Sequence, residues 1–245
     1  MAKNYKNLIL RQASRLETAV NYLRNIMDDT LWLQSLQDAA ANIRAKCNGV
    51  DWTVEIIDMD LPMDFNPMHL KPTFLANQLK LFVSIKMTCN AKLWEIGEDC
   101  ITELCFKVSI QENGNRDSKK MYHTGFHIDK TINAEKLLHG EIHPLYHVHF
   151  VNDSKMGEFE ALSMDIPRLS HHPVDLFLGL MLVFANYNKS VYDKLKDNSY
   201  ILGLCKESAQ HYVEPYIRSL TMKPWSDDEK QKQKDDKELC PYLVL

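Results

Sequence analysis

Glycine is scarce in this chain, with 8 in 245 residues, and no glycine-rich phosphate loop occurs, which removes the usual nucleotide-cradling motifs. The six cysteines (Cys47, Cys89, Cys100, Cys105, Cys205, Cys240) include no CxxC pair, so a cysteine-built zinc site is not expected. Also missing are a GxSxG nucleophile elbow and an HExxH helix, the signatures of α/β-hydrolases and zincins. Positive charge is not in excess: Lys and Arg number 29 against 33 Asp and Glu, net −4. That balance gives no global reason to expect nucleic acid or an anionic membrane as partner. The most apolar run, residues 176–185 (LFLGLMLVFA), has about half the roughly 20 residues that span a bilayer, so it reads as a buried helix. Lys3, Lys6, Arg11, Arg15 and Glu17 interrupt any apolar leader near the start. With scattered cysteines, this sets the expectation of a cytoplasmic protein with reduced thiols.

What is present is patterned. Residues 4–47 contain neither glycine nor proline. Within them Ile9, Ala13, Leu16, Val20, Leu23 and Met27 step by three and four, the spacing of one helix face. Leu33, Leu36, Ala40, Ile43 and Cys47 continue the stripe after a break at Asp28, Asp29 and Thr30, which supply N-cap candidates. The spacing predicts two helices, or one with a phase shift, packed within the chain or along a partner helix.

From Trp52 onward the period changes to two. Leu79, Leu81, Val83, Ile85 and Met87 alternate with polar residues, as do Leu104, Phe106, Val108 and Ile110, which predicts strands with one buried face. Asn113-Gly114 signals a tight hairpin turn. Further strands are expected around 52–57, 122–129, 145–151 and 158–166. Pro62, Pro67 and Pro72 punctuate a Met-rich stretch over 59–77 that reads as an extended loop. After the sheet, Pro173 and Asp175 introduce a helix over 174–187 that is apolar nearly all round. Another helix is expected over 203–222, kinked or restarted near Pro215. The fold class expected is therefore α+β: N-terminal amphipathic helices, a central antiparallel meander of about five to six strands, and C-terminal helices on the sheet. The division expected is a single domain over 1–225, with helices at 4–47, sheet at 52–166 and helices at 173–222. A charged segment over 226–245 follows, ending in an apolar tail (Tyr242, Leu243, Leu245) expected to be held against an apolar groove.

Chemistry concentrates in histidine. The stretch HPLYHVHF, residues 143–150, holds three of the ten histidines. If Tyr146, Val148 and Phe150 face the core, His147 and His149 face the other way, together with His123, His127 and Asp129 of the preceding strand. Imidazoles two apart on a strand, completed by a carboxylate or imidazole next door, can chelate a divalent ion. His127, Asp129, His147 and His149 are thus the metal-ligating candidates, with zinc or manganese as the ion. The spacing departs from the paired motifs of cupin barrels, and Val151 stands where a histidine-triad hydrolase has its third alternating histidine. His171 and His172 precede a helix start, where backbone donors attract anions. With Arg168 and His123 they form the ligand-binding candidates.

Two functions compete at this point. The first is a non-catalytic interaction or regulatory subunit of a larger cytoplasmic assembly. It would need no cofactor and would meet another chain, or a copy of itself, through the N-terminal helices, loop 59–77 or tail 226–245. The second is a metal-dependent hydrolase or nuclease built on the histidine face. The first is favoured from sequence because it needs no unproven geometry.

Overall fold

The computed structural model describes residues 4–27, 30–64, 79–112, 123–131, 144–150 and 169–222. Several expectations fall outside them: the Asn113-Gly114 turn, most of loop 59–77, the strand at 158–166, Arg168 and the tail.

Two helices open the chain, α1 (Lys6–Arg24) and α2 (Leu33–Ala45). Their apolar stripes, Ile9 through Leu23 and Leu33 through Ile43, are buried within the chain itself. The cap expected from the trio Asp28, Asp29 and Thr30 is not the one used: α2 starts after Trp32 with no side-chain cap, and Thr30 contributes its carbonyl to Leu33 N.

Six strands then form one antiparallel sheet in chain order: β1 (Asp51–Leu61), β2 (Leu79–Asn90), β3 (Ile101–Glu112), β4 (His123–Lys130), β5 (Tyr146–Phe150) and β6 (Leu169–Ser170). The meander read from alternation is present, and the mixed α+β class with it. β1 runs past Ile57 because of a bulge. Ile56 pairs with Ile85 but Met59 with Val83, so one extra residue resets the phase and both Ile56 and Met59 reach the core. Asp58 sits at φ 46° in this bulge, a conformation that its short polar side chain tolerates. Ser84 Oγ accepts from Asp58 N at 2.9 Å and donates to Oδ1 at 3.0 Å. Ile57 is left 74% exposed.

A short helix that periodicity did not predict, α3 (Ala91–Ile96), links β2 to β3; Asn90 caps it through Lys92 N and Leu93 N, and Gly97 ends it at φ 75°. The C-terminal part contains α4 (Leu176–Tyr187), α5 (Lys189–Leu195), α6 (Ser199–Ser208) and α7 (Glu214–Met222). Pro173 lies before the cap of α4 rather than in its first turn, and Asp175 is the cap, accepting from Leu178 N at 3.0 Å. The kink expected at Pro215 is displaced into a π turn, Ala209–Val213, between α6 and α7. Proline offers no N–H and crowds the carbonyl four residues back, so the wider turn lies just ahead of it.

These helices bury one sheet face in a continuous apolar cluster. α4 lies so close to β3 that a Cβ on Gly179 would stand 2.3 Å from the Phe106 ring. Trp52 and Trp94 meet edge-on at 5.5 Å, Trp94 and Tyr212 at 5.3 Å, Tyr146 and Tyr216 at 5.1 Å. Within this core lies a buried ion pair. Arg15 of α1 donates to Leu204 O and Ser208 Oγ, both at 2.7 Å, stands 4.0 Å from Asp175 Oδ2, and covers the Phe177 ring. Ser208 donates to Asp175 at 2.6 Å.

A candidate metal centre on the polar face of the sheet

On the polar face the strand registers align residues in rows. One row runs Glu55, Lys86, Cys105, Asp129, His147 and Ser170; the next runs Ser84, Lys107, His127 and His149. Directly opposed side chains in an antiparallel pair have Cβ atoms about 4.5–5.5 Å apart, so these rows bring imidazoles and a carboxylate together. The His127 and His149 rings approach to 3.2 Å between centroids. Asp129 Oδ2 lies 3.4 Å from His127 Nε2 and 4.0 Å from His149 Nε2. One donor atom from each of the three residues lies within 4.8 Å of the others.

That spacing has chemical meaning. Ligand atoms at about 2.1 Å from a tetrahedral ion are about 3.4 Å from one another. The separations of Asp129 from the two imidazole nitrogens are therefore those of ligands on one ion, while the two rings, 3.2 Å apart at their centroids, would have to part to about 5 Å to point both nitrogens at it. All three donors are half-buried and come from two adjacent strands, so the backbone ladder, not a loop, sets their positions.

His147, the fourth candidate, behaves differently. It shares the face, its ring 5.8 Å from that of His149, as strand alternation demands. Yet it is only 4% exposed, with Nδ1 3.2 Å from Pro144 O. Its place on the polar side of β5 does not leave it exposed, since β6 pairs beside it at Ser170. It stands beside the three-donor set, outside it. The expected apolar side of β5 also holds only in part. Tyr146 is fully buried, whereas Phe150 is 57% exposed.

The ligand-binding candidates are not assembled into one pocket among the described residues. His123 lies on β4 opposite Gln111. His171 extends the edge of the sheet through His171 N to Tyr146 O at 3.0 Å, and its ring stacks on His172 at 4.3 Å. Desolvation, and secondarily His171, lowers the pKa of His172, which disfavours the cation that an anion site would want. The start of α4 is already served by the Asp175 carboxylate.

Two residues on the polar side of β3 join the three donors through the strand register. Cys105 lies opposite Asp129; desolvation first, and then the Asp129 carboxylate it donates to, push its thiol up to about 12. A thiolate nucleophile at neutral pH is thereby disfavoured. Lys107 lies opposite His127. Only the β3–β4 register reveals either neighbour, and alternation within single strands does not contain it. Also unforeseen is a buried group on the core side: Tyr146 Oη donates to Asp99 at 2.8 Å, and Lys130 Nζ stands 2.9 Å from Asp99 while also donating to Ile101 O. Burial chiefly, with Asp99 second, holds the Tyr146 phenol well above its ordinary pKa, so it is a neutral donor that ties β5 to the core.

Gly125 prepares the same strand. A Cβ there would fall 2.2 Å from Val108 O, a backbone atom that cannot swing aside. Gly125→Ala should cost about 1–3 kcal/mol, as for other overpacked positions, read as a lowered melting temperature. An unchanged melt would show that β3 and β4 separate freely at that point.

Compared with known protein families, curated proteins and solved structures, the chain matches none.

Proposed function

We propose that this protein is a metal-dependent hydrolase holding one divalent transition-metal ion on His127, Asp129 and His149. The observation that supports it is the convergence of the three donors, with Asp129 Oδ2 at 3.4 and 4.0 Å from the two imidazole nitrogens. Three protein ligands leave coordination positions for water and substrate, the pattern of catalytic rather than structural zinc. An ion so held supplies Lewis acidity and a bound water acidified toward neutrality. The two imidazoles bind as neutral donors, so binding should weaken as they protonate in acid.

Convergence is what reverses the order of the two readings set out from sequence. The apolar stripes of α1 and α2 are buried within the chain, which lends less support to the subunit reading than an exposed seam would. That reading, a non-catalytic subunit of a larger assembly, is what remains if the three donors hold no ion.

The test is metal loading of the purified chain. Wild type is expected to take up one zinc or cobalt(II) ion per chain, with cobalt giving the visible absorption of a low-coordinate site. His127→Ala should weaken the affinity by about 100-fold or more, since even the loss of an outer-shell partner typically costs 10–100-fold. Its far-ultraviolet circular dichroism should be unchanged. Failure of the wild type to bind any stoichiometric divalent ion would remove the proposal.

A further inference from the structure

We infer that the substrate of this site is a phosphate ester, held by one phosphoryl oxygen on the metal and another on Lys107; the inference rests on the metal reading above. The first ground is position. Lys107 of β3 stands directly opposite His127 in the β3–β4 ladder, in the row that continues to His149. Register partners share a face and lie about 4.5–5.5 Å apart at Cβ, so the flexible lysine stem starts one strand away from the proposed ion.

The second ground is charge. Two other lysines on this face are already neutralised: Lys80 stands 2.7 Å from Asp60, and Lys86 stands 2.7 Å from Glu103. Lys107 makes no ion pair among the described residues. It is half-buried, so its charge is less screened than that of a fully exposed lysine. A divalent ion on two neutral imidazoles and one carboxylate keeps one positive charge, and Lys107 adds a second. That pair of charges suits a phosphoryl dianion better than the neutral carbonyl of a peptide or carboxylic ester, and a lysine serves phosphate as a compact point charge. The net −4 of the whole chain does not oppose this, because screening confines such recognition to within about 10 Å.

Cobalt(II)-loaded full-length protein can be titrated with inorganic phosphate and with methyl phosphate, read by the visible absorption of the ion. Both should perturb the wild-type spectrum. In Lys107→Ala both affinities should fall at least tenfold, and Lys107→Arg should restore most of the loss. Affinity for cobalt itself should agree within twofold across the three proteins. A Lys107→Ala variant that binds both anions as tightly as wild type overturns the inference and leaves the metal site standing, as does a cobalt-loaded wild type that responds to neither anion. Failure to load cobalt overturns the metal reading, and this inference with it.

Discussion

Arg15→Ala is expected to cost about 3–5 kcal/mol of folding stability, the range for stripping one partner from a buried ion pair. Arg15 and Asp175 are 9% and 4% exposed at their side chains. Without the guanidinium, the Asp175 carboxylate keeps Ser208 Oγ and Leu178 N as donors but loses its counter-charge in an apolar interior. Burial already raises the Asp175 pKa, against the opposing pull of Arg15, so removing Arg15 raises it further. The sign of the pH dependence follows. A carboxyl whose pKa is higher folded than unfolded takes up its proton in the folded state first, so stability rises as pH falls through that window. Urea unfolding should therefore show a larger deficit at pH 7 than at pH 5. A deficit independent of pH would mean that lost packing over Phe177 and the lost pairing with Glu207 at 3.3 Å, and not the stranded Asp175 carboxylate, carry the cost.

Leu16→Asp should be at least as damaging. Leu16 is 4% exposed on the inner face of α1 and lines a small cavity with Ile43, Trp52 and Met87. Leu→Ala at such sites costs about 2–5 kcal/mol, and an unpaired carboxylate in apolar surroundings adds to that. Against a typical total of about 5–15 kcal/mol, the variant should be largely unfolded at 37 °C, with Leu16→Ala melting in between. Thermal unfolding by circular dichroism measures both. A melting temperature for Leu16→Asp equal to wild type would show that the α1 stripe does not carry the core.

These residues also mark how far the sequence could be read. Ile9, Leu16 and Leu23 announce α1 because a helix face repeats every 3.6 residues, and Leu81 through Met87 announce β2 because a strand repeats every two. Both are local periodicities, and both elements are where they were expected. Arg15 was invisible as a core residue because its partners, Asp175, Leu204 and Ser208, are far along the chain and nothing local marks them. Asp58 was missed because a bulge is a change of phase, which ends one alternation and begins another. The short helices α3 and α5 have too few turns to develop a period. At the metal centre, alternation placed His127 and Asp129 on one face of β4 and His147 and His149 on one face of β5. Which pair of rows would meet is decided by the β4–β5 register. That register opposes His127 to His149 and leaves His147 opposite Asp129, with β6 paired on its other side at Ser170.

The reach of Arg15 also bears on how the chain is made. The sheet is a meander, so each strand finds its neighbour soon after it is synthesised. The bond from Arg15 to Ser208 Oγ, by contrast, spans 193 positions. At about 5–20 residues per second, on the order of 10–40 s separate the synthesis of α1 from that of its last partner. For that interval α1 and α2 can pair only with each other and with the emerging strands, and their remaining apolar surface stays unmatched at the ribosome. A chaperone that shields short amphipathic helices would find its opportunity then, and slowing translation would lengthen it.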